Sequence, residues 1–164
     1  MAGYRHVLLG MLVILILAGC QEEIKDDALS IMIFSNIPPV YQDDVEKELQ
    51  KRTEDYPINV ELHPLSKEKF AILLSQQAGD LYVTEREYVE ALAGKSGLEP
   101  LEISVENSDV EMLMDEQKFF GATLPPGLIP YNQTQQTLVA FIPSFSDKKE
   151  TSMEVLRNLL DKEE

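Results

Sequence analysis

Few residues of this chain have side chains able to do chemistry on their own. Of 164 residues one is a cysteine, Cys20, and two are histidines, His6 and His63. A single thiol cannot close an intrachain disulfide or build a cysteine-rich zinc site, so its open roles are alkylation and nucleophilic attack. His63 stands beside Pro64, and no serine in a Gly-x-Ser-x-Gly elbow accompanies it, so it reads as a loop residue rather than a general base. Carboxylates come in adjacent pairs: Asp26 with Asp27, Asp43 with Asp44, Asp115 with Glu116. Neighbouring positions on a helix do not converge on one point, and no run has the alternating acids and central glycine of a calcium loop. They read as solvated faces. The expectation is therefore no catalytic residue, no metal and no cofactor.

The setting of Cys20 gives its sulfur a role. An apolar run over residues 7–17 follows Arg5 and His6 and leads into "LAGC", residues 17–20. A membrane-crossing helix needs roughly 20 apolar residues, so this run is too short to span. A basic start, a short apolar core and a small-residue exit are the parts of a secretory signal. The exit resembles the bacterial lipobox, which implies a diacylglyceryl thioether on Cys20 and cleavage just before it, after Ala18 and Gly19. An uncleaved N-terminal anchor and a buried helix ending at a free cysteine are the alternatives. The expected divisions are a signal peptide over residues 1–19, a lipidated cysteine with an acidic tether over 20–29, and one domain over 30–164. That places the domain at the extracytoplasmic face of a bacterial cell membrane, and it makes the glycosylation triplet "NQT", residues 132–134, of little consequence.

Removing residues 1–19 takes away Arg5 alone among 14 lysines and arginines, leaving 13 against 29 acidic residues and a formal charge of −16. Such a chain repels nucleic acid and anionic headgroups, so neither is an expected partner. The remaining length suits one domain with its own core.

Three strand–helix pairs open that domain. "SIMIF", residues 30–34, is a short apolar run that reads as a buried strand, and "INVEL", residues 58–62, and "DLYVT", residues 80–84, read as the second and third strands. Between the first two, Tyr41, Val45 and Leu49 form one apolar stripe on a charged helix, with Pro38 and Pro39 near its start. Ser66 is placed to cap a second helix bearing Phe70, Leu73, Leu74 and Ala78, which Gly79 should end. Thr84 with Glu87 has capping-box spacing ahead of Val89, Leu92, Ala93 and Gly94. Alternating strands and helices of these lengths imply an α/β fold: three layers, a mainly parallel sheet, helices on both faces. Further on, Ser108 and Glu111 would cap a helix bearing Val110, Leu113 and Met114. "LVAFI", residues 138–142, reads as another strand. A capping box of Thr151 and Glu154 opens a last helix with Met153, Leu156, Leu159 and Leu160 on its face. "FFGATLPPGLIPYNQTQQT", residues 119–137, reads as a long loop.

The order of these segments, with "INVELHPLSKEKFAILLSQQAGDLYVTE" and "ALAGKSGLEPLE", resembles the N-terminal lobe of extracellular solute-binding lipoproteins of ABC transporters, the carbohydrate type in particular. The likeness covers roughly residues 30–102; "FFGATLP" and "LVAFIPSFSDKKETSMEVLRNLL" match more loosely. It implies one lobe of a periplasmic-binding-protein-like, type II fold and an ABC transporter as partner. The family closes two lobes on its ligand, and this chain has residues for one, so binding of a small solute should be weak. Three readings stand open: a degenerate solute-binding module, a lipoprotein docking on a membrane protein through Phe119, Phe120 and the proline-rich loop, and an enzyme.

In open parallel sheets ligands bind beyond the carboxyl ends of the strands. That edge holds Ser35 and Asn36, then His63, then Thr84 and Glu85. The candidate ligand-binding residues are Ser35, Asn36, Thr84 and Glu85 as hydrogen-bonding groups, with Tyr131 or Tyr41 as a stacking surface, Tyr41 belonging also to the apolar stripe.

Overall fold

A computed structural model describes residues 27–95, 97–104, 108–115, 117–132 and 136–161. The signal peptide, Cys20 and most of the tether lie outside the described residues. Six strands make one sheet: β1 Leu29–Ser35, β2 Ile58–Pro64, β3 Leu81–Glu85, β4 Met112–Asp115, β5 Lys118–Thr123 and β6 Leu138–Phe141. A single turn of 3-10 helix at Pro39–Tyr41 leads into α1, Gln42–Arg52; α2 is Lys67–Ser75, α3 Arg86–Glu90 and α4 Lys149–Leu160.

The strand order is β2-β1-β3-β6-β5-β4. β1 runs parallel to β2 and β3, while β6, β5 and β4 pair antiparallel. The α/β class holds, but the mainly parallel sheet expected from the sequence is corrected to a half-and-half mixed one. The cause is a hairpin where a helix and a loop were expected. Met112–Asp115 is a strand, and the first part of the presumed loop is its partner β5. Asp115 pairs with Lys118 across the turn, and Gln117 takes a left-handed φ of 74° there. A hairpin turn usually advertises itself by Asn-Gly or Asp-Gly, and Glu-Gln does not. The side chain of Thr123 accepts from the Glu111 N–H at 2.7 Å, and the Thr123 N–H donates back to the Glu111 carbonyl at 2.9 Å.

Helices cover both faces, as expected. Val45 and Leu49 of α1 and Val155, Leu156, Leu159 and Leu160 of α4 pack on the face carrying Ile31, Ile33, Val60 and Val83. Phe70 of α2 and Tyr88 and Val89 of α3 pack on the other, against Met32, Phe34, Tyr82 and Phe141. Three local signals misled. Ser66 does cap α2, accepting from Lys69 N at 3.3 Å. Thr84, however, lies inside β3 and Thr151 inside α4; the N-cap of α3 is Glu85 and that of α4 is Lys148, so neither capping box forms. Gly79 does not end α2 either: the left-handed turn falls on Gln77, φ 56°. Gly79 instead admits a close approach, since a Cβ there would sit 2.5 Å from Met32 Cγ.

The β2 edge is closed by side chains. The N–H groups of Ile58, Val60 and Leu62 donate to Gln50 Oε1 at 3.1 Å, Glu46 Oε2 at 2.9 Å and Gln42 Oε1 at 3.1 Å. Four residues of helix rise about 6 Å and two residues of strand about 6.6 Å, so every fourth side chain of α1 meets every second donor of β2. The helix thus stands in for a seventh strand. Gln50 also donates to the carbonyls of Thr53 and Tyr56. Gln50→Ala should cost about 2 kcal/mol in urea unfolding, because it strands a backbone donor and two acceptors at a partly buried edge. A loss within error of zero would show that water replaces the amide there.

Candidate functional site

The antiparallel strands change what stands at the carboxyl edge of the parallel ones. Because β6 opposes β3, its amino end, and with it the carboxyl end of β5, lies beside the ends of β1 and β3. The chain linking β5 to β6 therefore runs along the very edge where the candidate residues were sought. Leu128 and Ile129 of that link are buried in the core.

Ser35 is 1% exposed, and its Oγ accepts from the Ile37 N–H at 3.3 Å, tying down the turn after β1. Asn36 is exposed. Thr84 is fully buried, and its Oγ1 has no hydrogen-bond partner among the described residues. Glu85 is half-buried and accepts a hydrogen bond from Gln136 Nε2. Tyr131 stacks on Tyr41 with ring centroids 4.0 Å apart and planes 12° from parallel. Its hydroxyl donates to Asp44 Oδ2 at 3.1 Å; that bond and the carboxylate's charge raise the phenol's pKa above its ordinary value. The backbone of Tyr131 is left-handed, φ 64°, a conformation that a bulky residue adopts only when its surroundings hold it there. The edge thus brings Glu85 and Tyr131 to a surface and keeps Ser35 and Thr84 beneath one.

Beside them is a cleft of about 450 Å³, with Thr123, Leu124, Pro126, Asn132, Gln136 and Leu138 among its lining residues. Asn132 Nδ2 donates to the backbone carbonyl of Gln136 at 2.9 Å, tying the Asn132 side chain to the chain just before β6. Gln136 Oε1 is buried and lacks a hydrogen-bond partner among the described residues. A buried amide acceptor without a donor costs roughly 1–3 kcal/mol, and this one belongs to a residue that lines the cleft. Gln136 is also the link between the cleft and Glu85. Asn132, Gln136 and Thr123 were missed as site residues; the signal available was the run of amides in "YNQTQQT" just before a buried strand.

Elsewhere Glu99, Glu102, Lys149, Glu150 and Glu154 line a surface cavity of about 610 Å³, with Lys149 Nζ 2.7 Å from Glu99 Oε2. His63, expected in a loop, lies buried within β2 beside Phe34 of β1, and packs on the Phe34 ring, centroids 5.0 Å apart, with Nε2 3.4 Å from Glu61 Oε2. Burial, and then the charge of Lys69, hold its pKa below the ordinary 6.5, so the imidazole is neutral at pH 7. The Tyr82 phenol, pushed up to about 12 chiefly by burial, lies near the Leu73 carbonyl at 3.3 Å. Among the described residues no three His, Cys, Asp or Glu side chains are placed to share a metal ion.

The α/β body and the "LAGC" leader together describe a lipoprotein of the bacterial envelope, and the comparison with known proteins supports that class. The chain is 21% identical over 157 residues, 90% of each chain, to the Bacillus subtilis (strain 168) protein named "Putative lipoprotein YteS". No protein-family profile matches the chain. No solved structure matches it either.

Proposed function

We propose that the protein is a lipid-anchored extracytoplasmic binding module, without covalent chemistry of its own, that holds a small neutral, hydroxyl-rich solute such as a carbohydrate in the cleft lined by Thr123, Asn132 and Gln136. The observation that carries this reading is Gln136, a residue lining the cleft whose buried Oε1 has no hydrogen-bond partner among the described residues, beside hydroxyls and a second amide. Amide and hydroxyl groups of Thr123, Asn132, Gln136 and Thr137, with one acidic residue, Asp109, on otherwise apolar walls match a ligand of alternating hydroxyls and C–H faces, whose hydroxyls can donate to a carboxylate. The resemblance to one lobe of an ABC-transporter solute-binding protein is the context, and a transporter in the same membrane is the proposed recipient of the solute. The chain enters the sheet at the amino end of β1, opposite the cleft, so a thioether on Cys20 would leave the cleft facing away from the membrane.

A thermal-shift series on the lipidated protein in nanodiscs, across neutral mono- and oligosaccharides, tests this. A ligand at about 100 times its dissociation constant should stabilise the fold by about 2.7 kcal/mol. Gln136→Leu, of similar volume, should abolish the shift, while the unliganded midpoint changes only by the loss of the bond to Glu85. Silence across the panel would overturn the reading.

One observation favours docking instead. Met114 and Phe119, cross-strand partners on the outer hairpin, are 63% and 41% exposed. The proline-rich loop named for that role is largely tucked in, since Leu128 and Ile129 are buried. A docking lipoprotein would use the hairpin. Met114→Asp with Phe119→Asp would then lose a cross-link to a membrane protein while the solute panel stayed silent.

A further inference from the structure

A second concavity lies on the other face of the sheet, between α2 and α3. α2 leads from the end of β2 back to the start of β3, and α3 leaves the end of β3, so both helices run from the same edge, side by side over the aromatic core. The groove between them has a volume of about 570 Å³, within the range of small-ligand sites. Phe70, Leu74, Tyr88, Leu92 and Phe145 line it, with Ala71 and Ala91 on its shoulders. Nine residues of α2 give it a length of roughly 13 Å.

Its charges are unequal. Lys67, at the upper end, is 3.7 Å from Glu87 and 5.8 Å from the centroid of the Tyr88 ring, so its ammonium is already accompanied. Lys95, at the lower end, is exposed and has no ion partner among the described residues. In a chain of net charge −15 an unaccompanied lysine at the end of an apolar trough is the complement of an apolar molecule with one negative head. Phe145 at this end precedes Ser146, whose Oγ donates to Asp80, the acceptor of the Ser30 N–H. Lys95 therefore stands at the end of the sheet where the tether enters.

We infer that this groove binds a free single-chain carboxylic amphiphile, its unbranched acyl body lying along Phe70, Leu74 and Tyr88 and its carboxylate on Lys95. The lining holds no amide and few hydroxyls, which separates it from the polar cleft at the carboxyl edge and makes the two sites independent.

The probe is decanoate carrying a diazirine in its chain, irradiated with the lipidated protein in phosphatidylcholine nanodiscs and mapped by mass spectrometry. Label should fall on residues 71–75 and 91–95. Unmodified decanoate should compete it away and decanol should compete poorly. Lys95→Glu should cut the yield about tenfold, the change that loss of one charge-assisted hydrogen bond implies, and Ala71→Trp should abolish labelling by filling the groove. Label confined to other segments or to the lipids, equal competition by decanol, or equal labelling of Lys95→Glu or Ala71→Trp would each overturn the assignment.

Discussion

A Cys20→Ser chain expressed in a bacterial host should lose all incorporation of an alkyne-tagged fatty acid and move from the carbonate-resistant membrane pellet to the extractable fraction. The expectation rests on magnitudes. The apolar run over residues 7–17 is about half of what a span requires, so it cannot replace the lipid as an integral anchor. Each buried methylene of an acyl chain contributes about 0.8 kcal/mol, and one myristoyl chain already binds membranes measurably, with a constant of about 10⁴ M⁻¹. Serine offers no thioether, so the whole contribution disappears at once. Electrostatics cannot compensate, because a chain with 29 acidic residues is repelled by anionic lipids. A variant that stayed in the pellet unlabelled would show that the leader is retained as an uncleaved anchor. A wild-type chain that took up no fatty acid would remove the lipoprotein reading altogether.

The parts of the fold legible in the sequence are those in which one local signal had no competitor. "SIMIF" and "DLYVT" are buried on both faces, while "INVEL" alternates apolar Ile58, Val60 and Leu62 with Asn59 and Glu61 at the sheet's edge, and they became β1, β3 and β2. Val45 and Leu49 were assigned to a helix by their spacing, and both are buried. The hairpin was not legible. Val110, Leu113 and Met114 have helical spacing, yet Val110 and Met112 pack toward one core cluster and Leu113 toward the other, the alternation of a strand. Thr84 shows the same competition on a smaller scale: burial in β3 took the residue that capping-box spacing had assigned to a helix start. The consequence reached the candidate site. Reading residues 119–137 as one loop hid the fact that its far part returns along the carboxyl edge, so Ser35 and Thr84 were sought at a surface that this return covers. Glu85 could be found because it stands at the carboxyl end of a strand, whereas Gln136 could be found only by knowing that β6 lies antiparallel beside β3.

That antiparallel placement of β6 also sets the largest effect expected on stability, at Phe141. The ring is fully buried in the middle of the sheet, 5.4 Å from the Tyr82 centroid in a stacked pair and 6.3 Å from Phe70 edge-on. Phe141→Ala removes the transfer free energy of the ring and leaves a cavity that β6 cannot collapse, being held by β3 on one side and β5 on the other. The cost should be about 3–5 kcal/mol, against a total of about 5–15 kcal/mol for a domain of this size. Urea unfolding should show a lower midpoint with an unchanged slope. Phe145→Ala is the control: the ring is half-exposed and meets Tyr82 from outside at 6.5 Å, so its loss should be clearly smaller. Equal losses for the two, or a loss under about 1 kcal/mol for Phe141→Ala, would mean that β6 is not a central strand. The cleft depends on the same placement, since Gln136 and Leu138 reach it only because β6 begins where β3 ends. Phe141→Leu, which keeps most of the volume, should therefore retain solute binding at a modest loss of stability, separating the support that β6 gives the site from the stability it gives the core.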